Sequence, residues 1–203
     1  MGLSPCLKFV IGGALTILSW DNPVTAFFRK SKKLRHSLDR PSRSDFVHFQ
    51  FDGVMDMKIR EVDKNKKQFI SLLLLADEQE NMIDRYIEKG TMYVLEDGNV
   101  KAECVVTDED NGILEIKNIA VDPQNQGKGY GKALIDFLAS KYADEYSVLQ
   151  VGTGDSPLTI PFYEKCGFVR SHKIPNFFTD NYDHPIYEGG VQLIDMVYLQ
   201  RHI

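Results

Sequence analysis

Ile116-Lys117-Asn118-Ile119-Ala120-Val121 runs through Asp122-Pro123 into Gln124-Asn125-Gln126-Gly127-Lys128-Gly129-Tyr130-Gly131, and the chain then takes up a helical period. The segment reads as strand, glycine-rich turn and helix. Three glycines in five positions remove the Cβ atoms that would keep a ligand away from the main chain. Tyr130, Ala133, Leu134, Phe137 and Leu138 recur at i, i+3, i+4, i+7 and i+8, one face of a helix. The turn therefore sits at a helix N-terminus, where N–H groups without intrahelical acceptors and the helix dipole attract an anion.

Three phosphate-binding loops compete for these glycines. A P-loop needs a hydroxyl after its lysine, and Lys132 is followed by Ala133. A dinucleotide fingerprint places its third glycine at position 132, where this chain has lysine; Gly131 comes one residue early. The third pattern, Gln/Arg-x-x-Gly-x-Gly/Ala after a strand ending in an Ile-Ala-Val-like triplet, is satisfied by Gln124, Gly127 and Gly129. About thirty residues after Gly131 comes Phe162-Tyr163-Glu164-Lys165-Cys166-Gly167-Phe168. Together the two segments, in this order and at this separation, resemble the GNAT superfamily of acetyl-CoA-dependent N-acyltransferases, and in particular its bacterial members.

That resemblance implies an α+β domain, the GNAT fold, with a mixed, mainly antiparallel sheet and helices on both faces. It implies that the loop amides of Gln126, Gly127, Lys128, Gly129, Tyr130 and Gly131 hold the pyrophosphate of acetyl-CoA, and that Ile119, Ala120 and Val121 line its pantetheine. Ser156 stands where relatives often carry an asparagine, and Pro161 also departs from the pattern. Lys128, Lys132 and Lys165 could add positive charge near the phosphates. Tyr163 is the expected acid beside the sulfur, and Glu115, six residues before Val121, the expected base. Strict strand alternation would put Glu115, Lys117, Ile119 and Val121 on one face. Asp155 is a weaker candidate base. Phe177, Phe178, Tyr182, His184, Tyr187 and Glu188 are candidates for the acceptor pocket. No motif histidine partners Cys166, which reads as packing.

The chemistry explains why such groups are needed. A lysine-like amine has a pKa of ~10.4, so reaching the neutral nucleophile at pH 7 costs ~4.6 kcal/mol. A positioned base takes that proton, an acid protonates the departing thiolate, and backbone N–H groups can polarise the thioester carbonyl. The expected function is direct acetyl transfer from acetyl-CoA to a primary amine of a small molecule or peptide, in the cytoplasm, with no metal. The other class in play is a non-catalytic acyl-CoA-binding sensor. A homodimer would fit the family.

The chain has 203 residues, 43% apolar and 26% charged, which suits one well-cored domain plus an extension. Cys6, Cys104 and Cys166 show no spacing for a disulfide framework or zinc site. Residues 1–56 carry eight Lys/Arg against five Asp/Glu, and residues 57–203 carry 16 against 24. An acidic domain is a poor nucleic-acid binder. The apolar run Phe9 to Leu18, followed by a basic tract, is short for a membrane span of about twenty residues. Residues 1–56 are therefore read as an N-terminal extension outside the fold, with a membrane or interfacial anchor as the alternative, and 57–203 as the domain.

Within the domain, strands are expected over 58–62, 91–96, 100–107, 113–121, 147–151, 168–173 and 191–199. Helices are expected over 64–75 and 77–89, from the glycine turn to about residue 143, and in a short segment ending at Cys166-Gly167. Asp97-Gly98-Asn99 marks a hairpin turn.

Overall fold

The computed structural model describes residues 47–50 and 56–203, with side chains from Met57 onward. The apolar run and basic tract of the N-terminal extension lie outside the described residues. Strands β1 (Val47–Gln50), β2 (Asp56–Glu61), β3 (Thr91–Asp97), β4 (Asn99–Asp108), β5 (Ile113–Val121), β6 (Val148–Gly154), β7 (Val169–Ile174) and β10 (Met196–His202) form one sheet. Their order is β1-β2-β3-β4-β5-β6-β10-β7. Every neighbouring pair is antiparallel except β5 and β6. Strand β1 belongs to the stretch assigned to the extension, and it pairs Val47 with Ile59 at the sheet edge.

Helix α1 (Ile70–Ala76), entered through a 3-10 turn over Lys66–Phe69, and the short α2 (Glu80–Ile83) cover one face. Leu73, Ile83, Tyr86 and Ile87 pack there against Met92, Val94 and Val105. Helices α3 (Tyr130–Lys141) and α4 (Thr159–Lys165) cover the other face. The α3 stripe of Ala133, Leu134, Phe137 and Leu138 joins the main core with Cys104, Val106, Ile116 and Ile119, so the helical period in the sequence is a burial pattern. Pro161 lies in the first turn of α4, where its missing N–H costs no hydrogen bond.

Two expected elements are shorter than their patterns. The helix expected over 77–89 contributes only α2, followed by turns, because Asp77 is extended at the end of α1 and breaks the helical run. The strand expected over 191–199 splits. Tyr187–Glu188 (β8) and Val191–Gln192 (β9) make a separate two-stranded ribbon. Leu193 then turns inward so tightly that a Cβ on Gly154 would meet it at 2.6 Å. With the one-turn α5 (Phe177–Asn181), this stretch builds a second core from Phe177, Phe178, Tyr182, Ile186, Leu193, Met196 and Tyr198.

A bulge corrects the alternation expected for β5. The ladder pairs Val105 with Asn118 but Val106 with Ile116, leaving Lys117 as the extra residue. Ile119 and Val121 stand opposite Cys104 and Ala102 and belong to the α3-side core, together with Leu114 and Ile116. Glu115, opposite Thr107, and Asn118, opposite Val105, share the α1 side. Glu115 and Ile119 therefore lie on opposite faces.

Candidate active site

Strands β5 and β6 pair only from Ile113↔Val148 to Ile116↔Val151. Beyond that point β5 stays on β4 as far as Val121, while β6 stays on β10 as far as Gly154. The sheet thus opens into a wedge between two central strands. Asp122 N–H donates to the Lys101 carbonyl at 2.8 Å, which fixes the phase of the β4–β5 ladder. Bonded pairs fall on Glu103/Ala120 and Val105/Asn118, so the N–H groups of Ile119 and Val121 point away from β4 into the wedge.

The glycine turn stands at the mouth of this wedge. Asp122 Oδ1 accepts from Gln124 N–H and Asn125 Nδ2, and Gln126 Nε2 donates to the Val121 carbonyl at 3.2 Å. Gly127 and Gly129 take left-handed φ values of 75° and 92°, conformations that L side chains rarely adopt. A Cβ at Gly127 would meet nothing within 4 Å, so this backbone faces open space. Gly129 caps α3, leaving the first amides of that helix without intrahelical acceptors. Tyr130 and Gly131 are buried, and the Tyr130 hydroxyl donates to Asp97 at 2.6 Å. Lys128 reaches Asn125, whereas Lys132 is ion-paired to Asp136 within its own helix.

Tyr163 lies on α4 in the main core, 0% exposed and edge-on to Phe162 and Phe168. Ser156, also buried, accepts the Leu158 N–H at 3.1 Å and so shapes the entry to α4. Asp155 sits at the surface between Lys173 and Arg170, which hold its carboxyl below the usual range. Burial pushes the Cys166 thiol up to about 12, consistent with a packing residue.

Glu115 occupies the closed end of the wedge, on the α1 side. Its Oε1 takes the Lys117 ammonium at 2.8 Å and its Oε2 the Gln150 amide at 2.9 Å. Lys117 also meets Glu109 at 2.8 Å, and Gln200 donates to Gln150. Desolvation raises the Glu109 carboxyl, but Lys117 and Thr107 outweigh it and hold it below its ordinary value. The sequence singles out Glu115 as a candidate but not this buried chain, because the bulge that brings Lys117 beside it is a property of two strands.

Of the expected acceptor-pocket residues, Phe177 and Phe178 pack in the second core, and Tyr187 is 57% exposed. Glu188 is buried and accepts from Thr159 at 2.5 Å. His184 is exposed and bridges Asp183 and Glu78, whose carboxylates raise its pKa. Tyr182 reaches across to the Asp77 carboxylate at 3.1 Å.

A mixed sheet wedged open beside a glycine cradle, with helices on both faces, defines an acyltransferase of the GNAT class. A sequence model of the acetyltransferase (GNAT) domain matches residues 88–170. The uncharacterized N-acetyltransferase YvbK of Bacillus subtilis is 34% identical over 150 residues, spanning 72% of this chain and 97% of that protein. The chain belongs to the GNAT acetyltransferase family. A GNAT acetyltransferase from Elizabethkingia anophelis, solved with acetyl-CoA bound, is 33% identical and superposes with a TM-score of 0.69 over 72% of this chain and 98% of that one. A Bacillus subtilis acetyltransferase in complex with CoA gives 32% identity and a TM-score of 0.66 over 71% and 97%.

Proposed function

We propose that this protein transfers acetyl directly from acetyl-CoA to a primary amine of a small molecule or peptide. The observation that carries this reading is the wedge between β5 and β6 with the Gly127–Gly129 cradle at its mouth. The residues present suit the donor. Amides from Gln126 to Gly131 would hold the pyrophosphate, and the Ile119 to Val121 edge would run beside the pantetheine, its N–H groups turned to the gap. Ser156 supports this wall from the start of α4. When bound, the thioester supplies an activated acyl group and a thiolate leaving group.

The chain's residues then handle protons and position. Ile119 and Val121 N–H groups are the available donors for the thioester carbonyl. Tyr163, on the α3 and α4 side, supplies a hydroxyl to protonate the departing sulfur. Glu115 is the base to which the sequence points, but its Oε1 takes the Lys117 ammonium and its Oε2 the Gln150 amide, which leaves the amine's proton to another carboxylate. The buried, unbridged Cys104 and Cys166 suit a reducing cytoplasm, and no helix among the described residues is long and apolar enough to cross a membrane.

Thermal shift with acetyl-CoA, ATP and NAD, followed by thiol release with an amine panel, checks the proposal. Stabilisation by acetyl-CoA alone and CoA release in the presence of an amine are expected. Binding with no turnover on any amine would instead identify an acyl-CoA sensor. Gly127→Ala is a second check. The left-handed φ costs ~1–2 kcal/mol of strain, and the methyl group stands where the pyrophosphate must approach. Acetyl-CoA affinity measured by calorimetry should fall about tenfold or more, a binding loss of roughly 1.4 kcal/mol or greater.

A further inference from the structure

Asp77 and Glu103 are buried beneath α1 and α2 on the side of the wedge opposite α3. The Leu73 carbonyl accepts both Asp77 N–H and Asn118 Nδ2, each at 3.1 Å, so the end of α1 and the bulged part of β5 meet at one atom. Asn118 Nδ2 also donates to the Tyr86 hydroxyl at 2.7 Å. Glu103 stands on the same face, opposite Ala120 and two residues along β4 from Val105. Both carboxylates act electrostatically on the Tyr86 hydroxyl, whose pKa desolvation already raises.

Four oxygens in this patch have no hydrogen-bond partner among the described residues: Asp77 Oδ2, both Glu103 oxygens and Asn118 Oδ1. Asn118 and Glu103 are 0% exposed and Asp77 is 1% exposed. Unmatched oxygens at this depth leave room for a guest that brings donors. It lies one residue from Ile119, whose N–H faces the wedge. A cation is the guest that lets the desolvated Asp77 carboxyl ionise.

We propose that Asp77, with Asn118 beside it and Glu103 further along the same face, receives the acceptor as a cationic primary amine and takes the proton that frees its nucleophile. This rests on the acetyltransferase reading above. The alkylammonium gives one N–H proton to the Asp77 carboxylate. The nitrogen lone pair forms the C–N bond as the C–S bond breaks, and the electron pair leaves on sulfur. The nitrogen's second proton passes to that thiolate through the Tyr163 hydroxyl, and Asp77 returns its own to solvent. Amide, thiol and one released proton balance the ammonium and thioester consumed.

The groups around Asp77 are set for this exchange. Desolvation raises its carboxyl to about 7, against the Tyr182 hydroxyl, the Gln79 amide and the Arg85 charge, which pull it down, and Glu78, which pushes it up. Burial also lifts the Glu103 carboxyl well above its ordinary value; the Ala120 amide is near enough to offset this in part but forms no well-aligned hydrogen bond with it.

The test compares alkylamines, which arrive as ammonium ions, with aniline, which arrives neutral and needs no base. Wild type, Asp77→Asn and Glu115→Gln are assayed for CoA release between about pH 6 and 9 with propylamine, 1,4-diaminobutane, benzylamine and aniline. In wild type, kcat/KM for alkylamines should climb through a limb near 7. Asp77→Asn should lose that limb and about 10²–10³-fold in alkylamine rate, while keeping its aniline rate and acetyl-CoA affinity. Glu115→Gln should retain the limb. In wild type with CoA bound, the carbon-13 signal of the Asp77 carboxyl should shift on adding benzylamine. An Asp77→Asn enzyme that keeps the limb, or that loses aniline and alkylamine rates equally, overturns the proposal. A limb lost in Glu115→Gln alone returns the base to Glu115. Wild type that binds acetyl-CoA yet acetylates no amine removes the transfer reading as well, a result distinct from failure at Asp77.

Discussion

Tyr163→Phe should leave the fold intact and lower turnover about 10²–10⁴-fold, equivalent to roughly 2.7–5.4 kcal/mol of transition-state stabilisation. Phenylalanine fills the same volume between Phe162 and Phe168, so the edge-on ring contacts of the core survive. What disappears is one hydroxyl. If that hydroxyl protonates the departing sulfur, the loss falls on kcat, with acetyl-CoA affinity and melting temperature unchanged. The deficit should also shrink with an acyl donor whose leaving thiol is more acidic, because such a thiolate needs less help. A variant with wild-type kcat would remove Tyr163 from the chemistry and leave it as a packing residue.

The largest stability change expected is that of Lys117→Met. Lys117 is 2% exposed at its side chain and holds Glu115, 3% exposed, and Glu109, 32% exposed. Methionine fills the space of the aliphatic stem but leaves Glu115 as a buried carboxylate without its ammonium. Removing one member of a buried pair costs about 3–5 kcal/mol, because the orphaned charge keeps its desolvation penalty. Urea denaturation should show this as a lower midpoint with an unchanged slope. Adding Glu115→Gln should restore most of the loss, since the double variant has no buried charge to strand. Additive losses in the double variant would show that the pair is not energetically coupled.

These two residues show which structural facts a sequence carries locally and which it does not. Tyr163 and the glycine cradle were legible because their signals are local: a helical stripe of buried positions, glycines where φ is positive, and a short motif at fixed spacing. The β3–β4 turn was legible for the same reason, with Gly98 at φ 73° between the strands. Glu115 and Lys117 were expected on the face of Ile119, and Glu115 lies on the other one, because a bulge exists only in the register between two strands. Asp77 and Glu103 went unnoticed because burial of a carboxylate is decided by what covers it. The one local hint was Glu103 itself, a lone charge inside Ala102-Glu103-Cys104-Val105-Val106, a strand whose neighbours are all buried.

The four-residue contact between Ile113–Ile116 and Val148–Val151 also has a mechanical meaning. It joins two plates, β1 to β5 and β6 with β10 and β7, each continuously laddered to the far end of the opening. The main core takes Ile116 and Ile119 from one plate and Val151 and Leu199 from the other, so the side chains packed across the seam, and not the strands themselves, brace the two halves of the sheet at a fixed spread.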